Sequence, residues 1–264
     1  MARRSRRIAL ALAGIGGLLL ITLAVYLLGG GKLALSPASI RDILPHGSLR
    51  IGVDASNPPF AVATADDLFG LEVDLGQALA EELGVPVQFV NMTFDGIYDS
   101  LKADQVDMVI ATLSIDPLRT AEVRYTRPYF NAGLVLVSPV TTPIRSMADL
   151  SGYRLAYEFG STADSEARRW LRRILPFETQ PYELPAYALD AVRLGEADVA
   201  LVDATSAHLY LREHDWPVNL DYATVNPYVI ALREDRAPLW QMVDQALGQL
   251  QANGILEALI NEWL

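Results

Sequence analysis

The sequence predicts an α/β protein built from two compact units. Stretches with strand character alternate with stretches of helical period, and this alternation occurs twice along the chain. At 264 residues, 51% hydrophobic and 20% charged, the chain is long enough for two lobes with separate cores. Ahead of both lies one uncharged run, Ile8 to Leu28, preceded by Arg3, Arg4, Arg6 and Arg7.

As a helix that run would span about 31 Å, enough to cross a bilayer. The Arg cluster keeps the amino end in the cytoplasm and sends everything after Lys32 to the far side. The run is longer than a usual signal-peptide core, and the small residues near Ala34 and Ser36 are followed by Pro37. A retained transmembrane anchor is therefore favoured over a cleaved signal peptide. Ser5 to Leu10 partly resembles a twin-arginine signal, but an Arg-rich terminus produces such a pair easily.

The exported part keeps 17 Lys and Arg against 32 Asp and Glu, a net charge near −15. Phosphate backbones are repelled by such a surface, so nucleic acid is not a partner. The chain contains no Cys, which excludes a disulfide framework, a thiol nucleophile and a lipidated amino-terminal Cys. His46, His208 and His214 are scattered, the last two at i and i+6, so no zinc site is expected. The expectation is no metal and no cofactor.

Gly29-Gly30-Gly31 and the segment to Pro45 read as a tether. Leu49 to Val53 alternates as a strand, and Asn57-Pro58-Pro59 ends it. Leu71, Leu75, Ala78, Leu79 and Leu83 repeat at helical spacing up to Gly84, a C-terminal cap. A strand over 85–90, a helix over 94–103 and a buried strand over 106–111 follow, the pattern of a parallel sheet covered on both faces. The second unit has strands at 134–137, 154–157 and 199–202 and helices near 163–174 and 187–194. A strand at 228–232 and an amphipathic helix over 238–263, interrupted near Asn253-Gly254, complete the chain. No internal repeat is visible.

Four ordered blocks carry a resemblance. They are Leu49-Arg50-Ile51-Gly52-Val53-Asp54 with Pro59-Phe60, Gly70 to Leu75, Leu113 to Arg119 with Tyr125 to Tyr129, and Leu194 to Asp203. From residue 47 to the end the pattern resembles the periplasmic amino-acid-binding proteins of ABC importers. The resemblance implies a type II periplasmic-binding-protein-like fold with two hinge strands. Lobe 1 would comprise 46–131 plus 225–264 and lobe 2 132–224, after a segment 1–31 and a tether 32–45. A monomer that closes on an amino-acid-like ligand and docks on a membrane permease is expected.

The resemblance also selects ligand-binding residues. Arg119 is expected to take the ligand carboxylate bidentately; the alternative is an ion pair with Glu122. Ser114 and Thr162 would add hydroxyls, and Gly160-Ser161-Thr162 opens a helix whose N–H groups favour an anion. The alternative for Ser161 or Thr162 is a capping role alone. Asp203, ending an apolar strand, would take the ammonium, helped by carbonyls near Ala111 and Thr112; a helix N-cap is its alternative. Asp54, Asn57, Phe60, Phe94, Tyr157 and Glu158 would line the side-chain pocket, with Phe60 and Phe94 as apolar walls. Asn57 stands where the family often has an aromatic residue, so one wall is expected to be missing or polar, and the Asp54 and Glu158 carboxylates tilt selectivity to polar or basic side chains; the alternative is that Glu158 points to solvent and a neighbour neutralises Asp54. Asp116 and Asp104 depart from the family's usual Thr and Gly; Asp116 is expected to cap a following helix and Asp104 to take a left-handed turn. The same scaffold also serves as a sensor domain or, in a few relatives, as a cyclohexadienyl dehydratase, for which Glu158 would be the acid. No triad, phosphate loop or metal cluster in the sequence supports catalysis.

Overall fold

The computed structural model describes residues 42–264. The proposed anchor at 8–28 lies outside these residues. Among the described residues no helix is long and apolar enough to cross a membrane.

The first sheet contains β1 (Leu49–Val53), β5 (Val87–Asn91), β6 (Met108–Leu113), β7 (Val123–Tyr125), β8 (Phe130–Asn131) and β14 (Pro227–Arg233). Its order is β5-β1-β6-β14-β7, with β8 paired to β14. Helices α1 (Leu71–Leu83), α6 (Ala237–Ala252) and α7 (Ile255–Trp263) pack together on one face. Leu75, Leu79, Val243 and Leu247 there meet Ile51, Val53, Met108 and Ile110. The short α2 (Ile97–Lys102) covers the other face, where Ile97 and Leu101 join Val109, Ala111 and Leu113. Opposite-face residues alternate along β6 as the pleat requires.

The second sheet has the order β11 (Glu178–Tyr182), β10 (Arg154–Glu158), β12 (Val199–Asp203), β9 (Leu134–Pro139), β13 (Val218–Tyr222). Val135 and Val137 of β9 share a core with Ala188, Leu189 and Val192 of α4 (Pro185–Arg193) and with Ala207 of α5 (Ala204–Glu213). Leu134 and Leu136 face the other way, toward Ala163 and Ala167 of α3 (Thr162–Trp170). A small sheet, β2 (Ser56–Asn57), β3 (Ala61–Ala63) and β4 (Leu68–Phe69), lies between β1 and α1 in the chain.

Neither large sheet is wholly parallel, a correction to the pattern read from alternation. In the first, β5, β1 and β6 run parallel while β14 is antiparallel to β6 and β7. In the second, β11, β10 and β12 run parallel and β9 is antiparallel to β12 and β13. The reversed strands β9 and β14 are those reached by the segments that cross between sheets. Helix α3 stops at Trp170 instead of reaching residue 174, with Pro176 soon after to prevent continuation. The long last helix is broken as expected: Gly254 adopts φ 74° between α6 and α7.

A local device is built twice although the sequence shows no repeat. In the first sheet, Asp107 accepts from the Arg50 amide at 2.8 Å and its Nε at 3.1 Å, and Arg50 Nη1 donates to the Asp104 carbonyl at 2.6 Å. In the second, Asp198 accepts from the Arg154 amide at 2.8 Å and its Nε at 3.1 Å, and Arg154 Nη1 donates to the Glu196 carbonyl at 2.6 Å. Each Asp immediately precedes the strand beside its Arg, so each bracket fixes the start of one parallel pair. Arg154 holds the Asp198 carboxyl below the usual carboxylate range. The left-handed turn expected of Asp104 is present at φ 57°, beside Arg50, Arg233 and Arg236.

Two segments, 132–133 and 223–226, join the sheets, and they run side by side. The Ala132 amide donates to the Asn226 carbonyl at 2.8 Å, and the Leu134 amide to Thr224 Oγ1 at 2.8 Å. Asn131 Oδ1 accepts from the amides of both Gly133 and Asn226. A Cβ on Gly133 would lie 2.1 Å from the Thr224 carbonyl oxygen. We therefore expect Gly133→Ala to destabilise by about 1–3 kcal/mol, the range for overpacking. Gly152→Asn, at a left-handed turn with nothing within 4 Å of a Cβ, should cost less than Gly133→Ala in the same urea-unfolding measurement, about 1 kcal/mol or below, because Asn adopts positive φ more readily than other side chains.

Candidate functional site

Strand ends place most of the candidate residues. Asp54 follows β1, Thr112 and Ser114 lie at the end of β6, and Glu158 and Asp203 close β10 and β12. These are the carboxyl ends of the parallel strands, where open α/β sheets receive ligands.

In the first lobe, Asp54 and Phe94 line one recess of about 480 Å³ with Asp95, Ser56 and Asn91. Phe94, 48% exposed, is the aromatic residue of that lining. Asp54 Oδ1 accepts from the Ser56 amide and hydroxyl, at 3.1 and 2.7 Å, and neither Asp54 nor Asp95 has a cationic partner among the described residues. Phe60, expected as a wall, is instead 3% exposed and packs edge-on against Phe130 and Tyr228. Its role is to support the lobe from inside, because three aromatic rings enclose each other there. Asn57, where the family often has an aromatic residue, is a polar group tied to the end of β6: its Nδ2 donates to Thr112 Oγ1 at 3.1 Å.

Arg119 stacks 4.2 Å over the Tyr98 ring. Its ion pair is with Asp116 at 3.5 Å, not with Glu122. Both partners are about two-fifths exposed, a loose surface pair that a competing carboxylate can replace. Burial, and a hydrogen bond with Tyr125, raise the Tyr98 pKa above its ordinary value. Asp116 caps a turn through the Leu118 amide at 2.9 Å; no helix follows it, which corrects the expectation of a helix cap. Ser114 Oγ donates to Asn226 Oδ1 at 2.8 Å, joining the end of β6 to one of the crossing segments.

In the second lobe, Ser161 is the N-cap of α3, accepting from the Ala163 and Asp164 amides, while its hydroxyl donates to the Glu158 carbonyl at 2.7 Å. Thr162 begins the helix and is exposed. Asp203 is the N-cap of α5, with Oδ1 accepting from the Ser206 amide at 2.8 Å. Its Oδ2 has no partner among the described residues. Glu158 is partly exposed at the end of β10. Tyr157 is 3% exposed and packed in the second-lobe core, because β10 alternates and position 157 faces inward. It does not form an open pocket wall.

One group of consequence was not among the expected residues. Glu72, the second residue of α1, is fully buried, and its Oε1 accepts from the Thr112 amide at 2.5 Å and from the Tyr129 hydroxyl. Its Oε2 is buried without a partner. Thr112 has φ 46°, a left-handed conformation uncommon for a β-branched residue. Burial raises the Glu72 pKa to about 7, opposed by the hydrogen bonds from Tyr129 and Thr112 and assisted by the Asp54 charge. Tyr129 is raised well above its ordinary value, chiefly by burial and then by Glu72, and Tyr228 is raised by burial and by the Glu72 and Asp203 charges.

Because the folded-state value exceeds the ordinary 4.5, the folded protein binds more protons than the unfolded chain between these values. The Glu72 contribution to stability is then complete below about pH 4.5 and is lost as pH rises through about 7, on the order of 3 kcal/mol in all. The unfolding free energy of the wild type minus that of Glu72→Gln should fall across this window. A difference that stays flat from pH 4.5 to 8 would contradict the assignment.

With this geometry established, comparison with known proteins gives the family. Residues 49–264 match the family model for bacterial extracellular solute-binding proteins, family 3. The L-arginine-binding protein of Pseudomonas aeruginosa is 29% identical over 248 residues, covering 85% of this chain and 90% of that one. The L-cystine-binding protein TcyJ of Escherichia coli K12 is 27% identical over 230 residues, covering 85% of each. Among solved structures, the L-cystine solute receptor of Neisseria gonorrhoeae in its unliganded open conformation has a TM-score of 0.72 at 24% identity, covering 87% of this chain and 97% of that one. The fold is thus the two-lobed α/β fold of periplasmic binding proteins. The chain belongs to family 3 of the bacterial extracellular solute-binding proteins.

Proposed function

We propose that this protein is the extracytoplasmic receptor of an ABC importer for a basic amino acid, which it holds between its lobes and delivers to a permease. The recess at the end of β1 carries the choice of ligand. It combines two carboxylates without cationic partners among the described residues, Asp54 and Asp95, with the half-exposed ring of Phe94. A guanidinium or ammonium side chain stacked on an aromatic ring and facing carboxylates is the ligand chemistry such a recess favours. That a relative is an L-arginine-binding protein agrees with it.

The backbone of the ligand calls for a cation and an anion. Arg119, stacked on Tyr98 and ion-paired only loosely with Asp116, supplies two parallel donors for the carboxylate, with Ser114 of the same lobe and with Thr162 and the α3 amino end on the other lobe. Asp203, through its second oxygen, supplies the anion for the ammonium. Closure of the lobes would exclude water and strengthen both interactions. The run from Ile8 to Leu28 behind four Arg residues supports tethering at the outer face of the membrane.

Calorimetry on the exported part against the twenty amino acids tests this. Arginine or lysine should bind and glutamate should not. Arg119→Ala should weaken arginine binding by about 3 kcal/mol, more than a hundredfold, as expected when one partner of a desolvated charge pair is removed. Asp54→Asn should weaken arginine more than glutamine. Undiminished arginine binding by Arg119→Ala would defeat the assignment of the carboxylate.

A further inference from the structure

We propose that Glu72 is a positioning residue for the ligand site: from inside the first lobe its carboxyl holds the left-handed backbone of Thr112, and so sets where Ser114 and Arg119 stand. The inference deepens the reading of a ligand between the lobes and rests on it.

Three observations carry it. Thr112 is the only β-branched residue among the described residues with positive φ, a strained conformation that persists only where surroundings impose it. The surroundings here are specific. The Thr112 amide donates to Glu72 Oε1 and lies 3.2 Å from the Tyr129 oxygen, while Thr112 Oγ1 accepts from Asn57. The pairing of β6 with β14 shifts register between Val229 and Ala231, next to Leu113 and Val109, so the ladder is irregular where Thr112 turns. An amide freed from a regular ladder needs another acceptor, and Glu72 is that acceptor.

The third observation is the isolation of the carboxyl. Glu72 is fully buried in helix α1 with no cationic partner, an arrangement with no value as a salt bridge. A Leu or Val at this place on the helix would pack at less cost. The carboxyl is explained by what it holds, namely the Thr112 amide and the Tyr129 hydroxyl. From Thr112 the chain passes to Ser114, bonded to Asn226, and on to Arg119, stacked on Tyr98. A change at Thr112 therefore rotates the segment that carries both candidate carboxylate contacts.

L-Arginine titrations of the intact exported part, with ¹⁵N amide spectra of the same samples, test the proposal. Glu72→Gln keeps an acceptor oxygen and should bind arginine within about threefold of wild type, whereas Glu72→Leu leaves the Thr112 amide only its longer contact with the Tyr129 hydroxyl and should weaken binding about tenfold or more. Adding Thr112→Gly to Glu72→Leu should recover most of the loss, because Gly takes positive φ without being held. A purely structural defect would not be rescued in this way. If Glu72→Leu does not fold, Tyr129→Phe replaces it, with an expected loss of about threefold, since one hydroxyl contact is removed and the amide bond kept. In ligand-free protein the Ser114 and Arg119 amide resonances should move in Glu72→Leu and return toward wild type in Glu72→Gln. Resonances that stay fixed in the folded variant overturn the positioning role whether or not arginine binds. Absence of arginine binding by the wild type overturns the choice of ligand alone, and wild-type binding that is unaffected by Glu72→Leu overturns the positioning role alone.

Discussion

Both lobes depend on one interaction made twice: an Arg on a parallel strand bound through its amide and guanidinium to the Asp that opens the neighbouring strand. A parallel pair has no hairpin turn to set its register, so something else must do so. Arg50 with Asp107 and Arg154 with Asp198 supply several hydrogen bonds each, of the charge-assisted kind that is stronger than a neutral one. They sit where the paired strands begin. With the start fixed, the strand length decides where the other end emerges, and that end carries Asp54, Thr112, Glu158 and Asp203. Scaffold and candidate site are thereby separated along the same strands, one end bracketed by these ion pairs and the other carrying the residues proposed to meet the ligand.

The second constraint is the pair of crossing segments. Chain that passes between two sheets exposes backbone donors and acceptors that no ladder satisfies. Here each segment satisfies the other, through Ala132 with Asn226 and Leu134 with Thr224, and Asn131 takes two further amides. Gly133 is required because the Thr224 carbonyl occupies the space of a side chain. Contact between the lobes is not confined to these segments, since Arg212 of α5 donates to the Trp263 carbonyl at 2.7 Å.

Much of the fold could be read from the residues because its buried strands and amphipathic helices leave strong periodic signals. β6 and β12 are nearly continuous apolar runs, and Gly84 and Gly254 mark helix boundaries through their left-handed backbone. What escaped has physical reasons. β11 and β13 are half-exposed edge strands, one containing Pro181, so neither alternates cleanly. Helix α5 is rich in Thr, Ser and His and shows little beyond its Asp203 cap. At the site, strand-end positions such as Asp54 and Asp203 were legible, whereas side-chain direction was not: Phe60 and Tyr157 turn into cores. Glu72 did leave a signal. It lies on the helix face of Leu75, Leu79 and Leu83, and a carboxyl on an apolar stripe announces a buried charge that needs partners. Its partners, Thr112 and Tyr129, are far away in sequence and could not be named from it.

The bond between Ser114 and Asn226 has a consequence of simple stoichiometry. A hydroxyl carries a single hydrogen, and that of Ser114 is already given to an amide oxygen on a segment that joins the lobes. Any newly arrived acceptor at Ser114 must take that hydrogen away from Asn226. Asn226 in turn is tied through its own amide to Asn131. An acceptor bound at Ser114 and the bond from Ser114 to the segment between the lobes therefore draw on one hydrogen, and gaining the first loses the second.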